Sequence, residues 1–100
     1  MANGYNIYWT DHAKSELKQT LVYLENNWTE KEIKNFIQQL EHVLELISKN
    51  PKISPASGKK KQVYKAVIAR YNNLYYRTQG NTIQILSLFS NRQNPDNTPF

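Results

Sequence analysis

Apolar residues recur along this chain with two different periods. Tyr5-Asn6-Ile7-Tyr8-Trp9 is rich in aromatic and β-branched residues, which predicts a short strand. Ala13, Leu17, Leu21, Leu24 and Trp28 follow at spacings of three and four. That places one apolar stripe on a helix from about Asp11 to Asn26. Thr10 or Asp11 is placed to accept a hydrogen bond from the N–H groups left open at its first turn.

Thr29 and Glu32 have the spacing of a capping box, so a second helix starts there. Its stripe is Ile33, Phe36, Ile37, Leu40, Val43, Leu44 and Ile47. It stops before Asn50-Pro51, because proline disfavours helical geometry in the residue before it. With only Asn27-Trp28 between them, the two helices must fold back as an antiparallel hairpin. Residues 49–61 bear lysine, serine and proline and read as a connector. Strands follow at about Gln62 to Ile68, Leu74 to Thr78 and Thr82 to Phe89. Gln79-Gly80-Asn81 supplies a tight turn between the last two.

The order β-α-α-β-β-β predicts one α+β domain over residues 1–100, with an irregular tail from about residue 91. The last three strands form a mainly antiparallel meander, strand 1 joins an edge, and the helical hairpin covers one face of this small sheet.

Charge sharpens the picture. Residues 1–48 hold four lysines against seven carboxylates, a net of −3. Residues 49–100 hold nine cations against Asp96 alone, a net of +8. Such asymmetry points the second half toward an anionic partner, either nucleic acid or an acidic protein. There is no cysteine, which removes disulfides and cysteine-based metal sites. His12 and His42 are far apart with no paired spacing, and three glycines build no phosphate loop. No metal and no cofactor are therefore expected. Neither a signal peptide nor an apolar run long enough to span a membrane is visible. The expectation is a cytoplasmic protein with no membrane partner.

The ordered motifs carry a family resemblance over about residues 5 to 95. They are Thr10 and Ala13 after strand 1, then Tyr23-Leu24 and Asn27-Trp28. Phe36, Leu40, Leu44, Ile47 and the closing Asn50-Pro51 come next. Leu74-Tyr75-Tyr76-Arg77, Ile83-Gln84-Ile85-Leu86 and Arg92 complete the set. In these the chain resembles the RelE/ParE toxins of type II toxin–antitoxin pairs, and the hairpin ending in tryptophan looks more like the ParE branch. The resemblance implies a RelE/ParE-like fold and an antitoxin partner, acidic and helical, with which the toxin forms an oligomer. It also implies a target. Characterised ParE-like members poison DNA gyrase by binding, whereas RelE-like members cleave messenger RNA in the ribosome without a metal. A third reading is an inactive relic that binds only its antitoxin.

A metal-free ribonuclease needs a base for the 2′-hydroxyl, cations for the phosphate and an acid for the leaving oxygen. The resemblance implies that RelE-like members draw these from lysine, arginine, tyrosine, glutamate or histidine on the sheet face and C-terminal tail. The catalytic candidates under that reading are Arg70, Arg92 and Lys65, with Tyr64, Tyr71, Tyr75 or Tyr76 for stacking or proton transfer. The target-binding candidates are Lys59, Lys60, Lys61, Arg70, Arg77 and Arg92. The sequence departs from the nuclease pattern in one respect. No histidine or tyrosine follows Tyr76, and Phe100 cannot exchange a proton. An acidic amphipathic antitoxin helix is expected in a groove beside the hairpin, where apolar burial gives affinity and charge speeds association.

Overall fold

The computed structural model describes residues 4–53, 55–56, 62–69 and 72–90. Strand β1 (Asn6–Trp9) leads into helix α1 (Asp11–Asn27) and helix α2 (Glu30–Lys49). A 3-10 turn (Pro51–Ile53) follows, then β2 (Tyr64–Ala69), β3 (Asn72–Gln79) and β4 (Thr82–Ser90). The four strands form one sheet in the order β1-β4-β3-β2. The meander β2-β3-β4 is antiparallel and β1 lies parallel to β4 at the edge.

Both helix starts are capped as the sequence indicates. The Thr10 hydroxyl accepts from the Ala13 N–H at 3.2 Å. At α2, Thr29 Oγ1 accepts from the Glu32 N–H at 3.3 Å and Glu32 Oε1 accepts from the Thr29 N–H at 3.1 Å. At the β3–β4 turn, Gly80 has φ of 59° while Asn81 is not left-handed. That pattern belongs to a type II′ hairpin turn, whose backbone twist matches the strands it joins.

The helices lie on one face of the sheet, α1 along β4 and α2 along β2. Ala13, Leu24, Phe36, Leu40 and Ile47 meet Ala66, Ile68, Leu74, Tyr76, Ile83, Ile85 and Leu88 in one buried core. Leu17, Leu21, Trp28, Ile33, Val43 and Leu44 pack partly buried around it. Ile37 departs from the expected stripe and is exposed.

The strand bounds also shift for physical reasons. Gln62 adopts φ of 64°, a left-handed conformation outside any strand, so β2 begins at Tyr64. β3 begins earlier than expected, at Asn72. Strict alternation along β4 would put Ile83, Ile85, Ser87 and Phe89 on one face. Instead the β3–β4 register shifts between Tyr75 and Tyr76, which pair with Ser87 and Ile85. Leu86 is the extra residue of this bulge, and the shift brings Leu88 rather than Ser87 into the core.

Thr29→Ala removes the acceptor for the Glu32 N–H at the start of α2. We expect a loss of about 1 kcal/mol in urea denaturation with an unchanged fold.

Candidate functional site

The sheet has two unlike faces. Residues paired across strands share a face, so Lys65 opposite Tyr75, Arg77 opposite Gln84 and Tyr8 opposite Gln84 all stand away from the helices. Lys65 and Arg77 are diagonal neighbours across β2 and β3, roughly 7–8 Å apart at the backbone. Among the described residues they are the only charged side chains on a strand. All seven carboxylates among the described residues stand on α1 and α2, beside five lysines. The helices thus carry a small net negative charge and the described strands only cations. Arg70, Arg92, Lys59, Lys60, Lys61 and Tyr71 lie outside the described residues.

The described candidate tyrosines on β2 and β3 are packed into the fold. Tyr76 is fully buried and its hydroxyl donates to the Pro51 carbonyl at 2.7 Å. Its ring stacks on Tyr64 with centroids 5.5 Å apart. Tyr75 is buried on the opposite face. A hydroxyl buried and committed to a backbone carbonyl is poorly placed to hand a proton to a substrate.

Two further features lay outside the sequence reading. The first is Glu16, on α1 against the part of β4 that extends past the end of β1. Its Oε1 accepts from the Ser87 hydroxyl at 2.5 Å and from the Leu88 N–H at 3.0 Å, with His12 Nε2 at 3.3 Å. A pocket of about 490 Å³ opens beside it, walled by Gln19, Thr20, Tyr23, Leu88, Phe89 and Ser90. The signal was present but polar. Glu16 lies three residues after Ala13 and four before Thr20, both buried, so it stands on the helix's inner face.

The second is an apolar groove between α2 and the edge strand β2. Val43, Leu46, Ile47, Ile53, Pro55, Lys65, Ala66 and Val67 line about 600 Å³ of it. Val67 is 61% exposed and Ile53 is 53% exposed. Val67 pairs with Asn73 and so shares the outer face with Lys65, which leaves apolar surface exposed at the β2 edge. The outer edge of β2 is covered at its start, where Ala56 bridges Tyr64 and the Lys65 N–H donates to the Pro55 carbonyl. Among the described residues, no group of acids, histidines or cysteines is arranged to hold a metal ion. No described helix is long and apolar enough to cross a membrane.

A helical hairpin on a small mixed sheet, with Lys65 and Arg77 on its outer face and an apolar groove at the β2 edge, defines a small α+β protein. The family model for the ParE toxin of type II toxin–antitoxin systems matches residues 7–95. The chain belongs to this toxin family. Among solved structures, the chromosomal ParDE system of P. aeruginosa superposes with a TM-score of 0.72 at 14% identity, covering 89% of this chain and 98% of that one. The YoeB dimer of Staphylococcus aureus gives 0.58 at 19% identity, over 84% and 93% of the two chains. The E. coli DinJ–YafQ toxin–antitoxin complex gives 0.61 at 11% identity, over 91% and 97%. At such identities the likeness is one of fold. Comparison with curated proteins returns no match.

Glu16→Ala removes the acceptor for two donors of β4. We expect a loss of about 1.5–3 kcal/mol in chemical denaturation, the range for hydrogen bonds to a charged group. Glu16→Gln keeps one carbonyl oxygen and should lose less.

Proposed function

We propose that this chain is a growth-arresting toxin that acts by binding a protein target, DNA gyrase, and is neutralised by an acidic, helical antitoxin. The observation that carries the binding reading is the commitment of the candidate tyrosines Tyr64, Tyr75 and Tyr76 to structure. Tyr76 is bonded to Pro51 and stacked on Tyr64, and Tyr75 is buried. The proton-transfer roles that a metal-free ribonuclease would ask of them are taken up by packing. The match to the ParE model supports the same branch. The alternative, ribosome-dependent cleavage of messenger RNA, draws its support from the fold shared with YoeB and YafQ.

For the antitoxin, the groove between α2 and β2 is the surface of choice. Val43, Leu46, Ile53 and Val67 offer apolar area to one face of an amphipathic helix. Lys65 lines the groove and Lys52 lies in the 3-10 turn beside it, so acidic residues flanking the helix's apolar face would be favoured. Solved relatives of this fold include complexes, such as YoeB–YefM of Staphylococcus aureus and DinJ–YafQ of E. coli.

Pulse labelling of DNA and protein synthesis, minutes after induction in bacteria, tests the target. Early loss of DNA synthesis is expected. Early loss of protein synthesis with intact replication would transfer the chain to the nuclease reading. The groove is tested separately. Val67→Asp and Leu46→Asp should each weaken co-purification with the product of the neighbouring reading frame about tenfold or more, the scale of a hot-spot loss. Undiminished co-purification of both variants would move the antitoxin elsewhere.

A further inference from the structure

The part of the outer sheet face nearest the β3–β4 turn carries an ordered row of three side chains. Tyr8 on β1 pairs with Gln84 on β4, and Gln84 pairs with Arg77 on β3. The row therefore crosses three adjacent strands, with Tyr8 and Arg77 about 10 Å apart at the backbone, or two strand spacings. Tyr8 is 51% exposed. Arg77 is exposed too, and its Nε donates to Gln84 Oε1 at 2.7 Å. That bond restrains the guanidinium while its two terminal nitrogens remain to meet a partner. No described carboxylate forms an ion pair with it. The neighbouring row, Asn6–Thr82–Gln79, is uncharged and solvent-facing.

A tyrosine and a restrained arginine on a flat polar surface are the residues that most often anchor protein contacts. An arginine held through Nε presents its remaining N–H groups as a fork for a carboxylate. A nucleic-acid strand would ask for more. It presents one phosphate per nucleotide, and affinity for it grows with the number of cations it meets. Within these two rows the sole charged side chain is Arg77.

We propose that the Tyr8–Gln84–Arg77 row is the surface with which this toxin grips its target, and that it takes an acidic patch of a protein. A partner carboxylate bridges the terminal nitrogens of Arg77, and the Tyr8 ring packs against the apolar part of the same patch. This rests on the reading of the chain as a toxin that binds a protein target. It adds where the contact lies. The row shares no residue with the lining of the α2–β2 groove, although its Arg77 on β3 stands one strand from Lys65. A variant in one surface should leave the other working.

The experiment uses the full chain purified from its antitoxin, with DNA supercoiling by gyrase as the readout. Wild type is compared with Tyr8→Ala, Arg77→Glu and Arg77→Lys. Melting temperature and recapture by the antitoxin serve as fold controls. We expect Tyr8→Ala and Arg77→Glu each to require about tenfold or more protein for half-inhibition. Arg77→Lys, which keeps the charge but not the fork, should fall between them and wild type. Melting and antitoxin recapture stay at wild-type values. The proposal is overturned if Tyr8→Ala and Arg77→Glu inhibit like wild type. A distinct result marks failure of the underlying reading. There the wild-type chain leaves supercoiling untouched and cleaves ribosome-bound message. If the row variants were then defective in cleavage, the row would belong to RNA and the protein partner would be overturned with it.

Discussion

Strand β1 is too short for the strand it pairs with, and much of the structure follows from how that shortfall is met. β1 covers β4 from Thr82 to Ile85, and β4 runs on to Ser90. The backbone groups past Ile85 on that side need partners, since buried polar groups left unpaired cost about 1–3 kcal/mol each. Thr10 and Glu16 supply them. The Thr10 N–H and hydroxyl both donate to the Ile85 carbonyl, at 3.1 and 2.8 Å, while the same hydroxyl caps α1. One and a half turns later, Glu16 accepts from Leu88 and Ser87. Helix α1 thus continues the sheet edge by side-chain chemistry, and its orientation follows from those bonds.

The bulge at Leu86 belongs to the same arrangement. It turns the far end of β4 so that Leu88 enters the core while its N–H faces α1. A bulge sharpens local twist and bends its strand. It also divides the outer face. Near the bulge, Tyr75, Asn73 and Ser87 are buried. Toward the hairpin turn, Tyr8, Arg77 and Gln79 are exposed. The proposed contact row lies on the regular end of the sheet, where pairing is in register and side chains stand in straight rows.

What the sequence made legible was periodic or local. The helix stripes, the Thr29–Glu32 box, the Gly80 turn and the succession of elements could be read because each is encoded within a few residues, whereas the edge that β1 joins, parallel to β4, could not. The bulge could not be, because alternation through Ile83, Ile85 and Ser87 looks unbroken and only pairing with β3 reveals the extra residue. Glu16 was hidden for a related reason. A carboxylate on a helix reads as solvated until the edge it serves is known. Lys65 and Arg77 were named from composition and do share a face. The partners that give Arg77 its setting, Tyr8 and Gln84, come from strands on either side of the helices in sequence, so no local window contains them. A groove beside the hairpin was expected, but its lining was not named, because it joins residues of α2, the 3-10 turn and β2 that no local window contains.

Segregation of charge ties these surfaces together. Among the described residues the strands carry two cations and no acid, while the helices carry seven acids against five lysines, so positive charge is in excess on the sheet side. An acidic partner approaching from solvent is drawn to that side, which raises productive encounters. The groove lies at the β2 edge, and the row runs from the β1 edge to β3, one strand away from it. Two acidic partners would share the same steering field without sharing the same contacts. Neutralisation by a partner seated at the β2 edge then has two physical routes. The partner extends over the row, or its acids cancel the field that steers the target. The second needs no overlap and weakens as salt screens exposed charge over about 10 Å at 0.1 M.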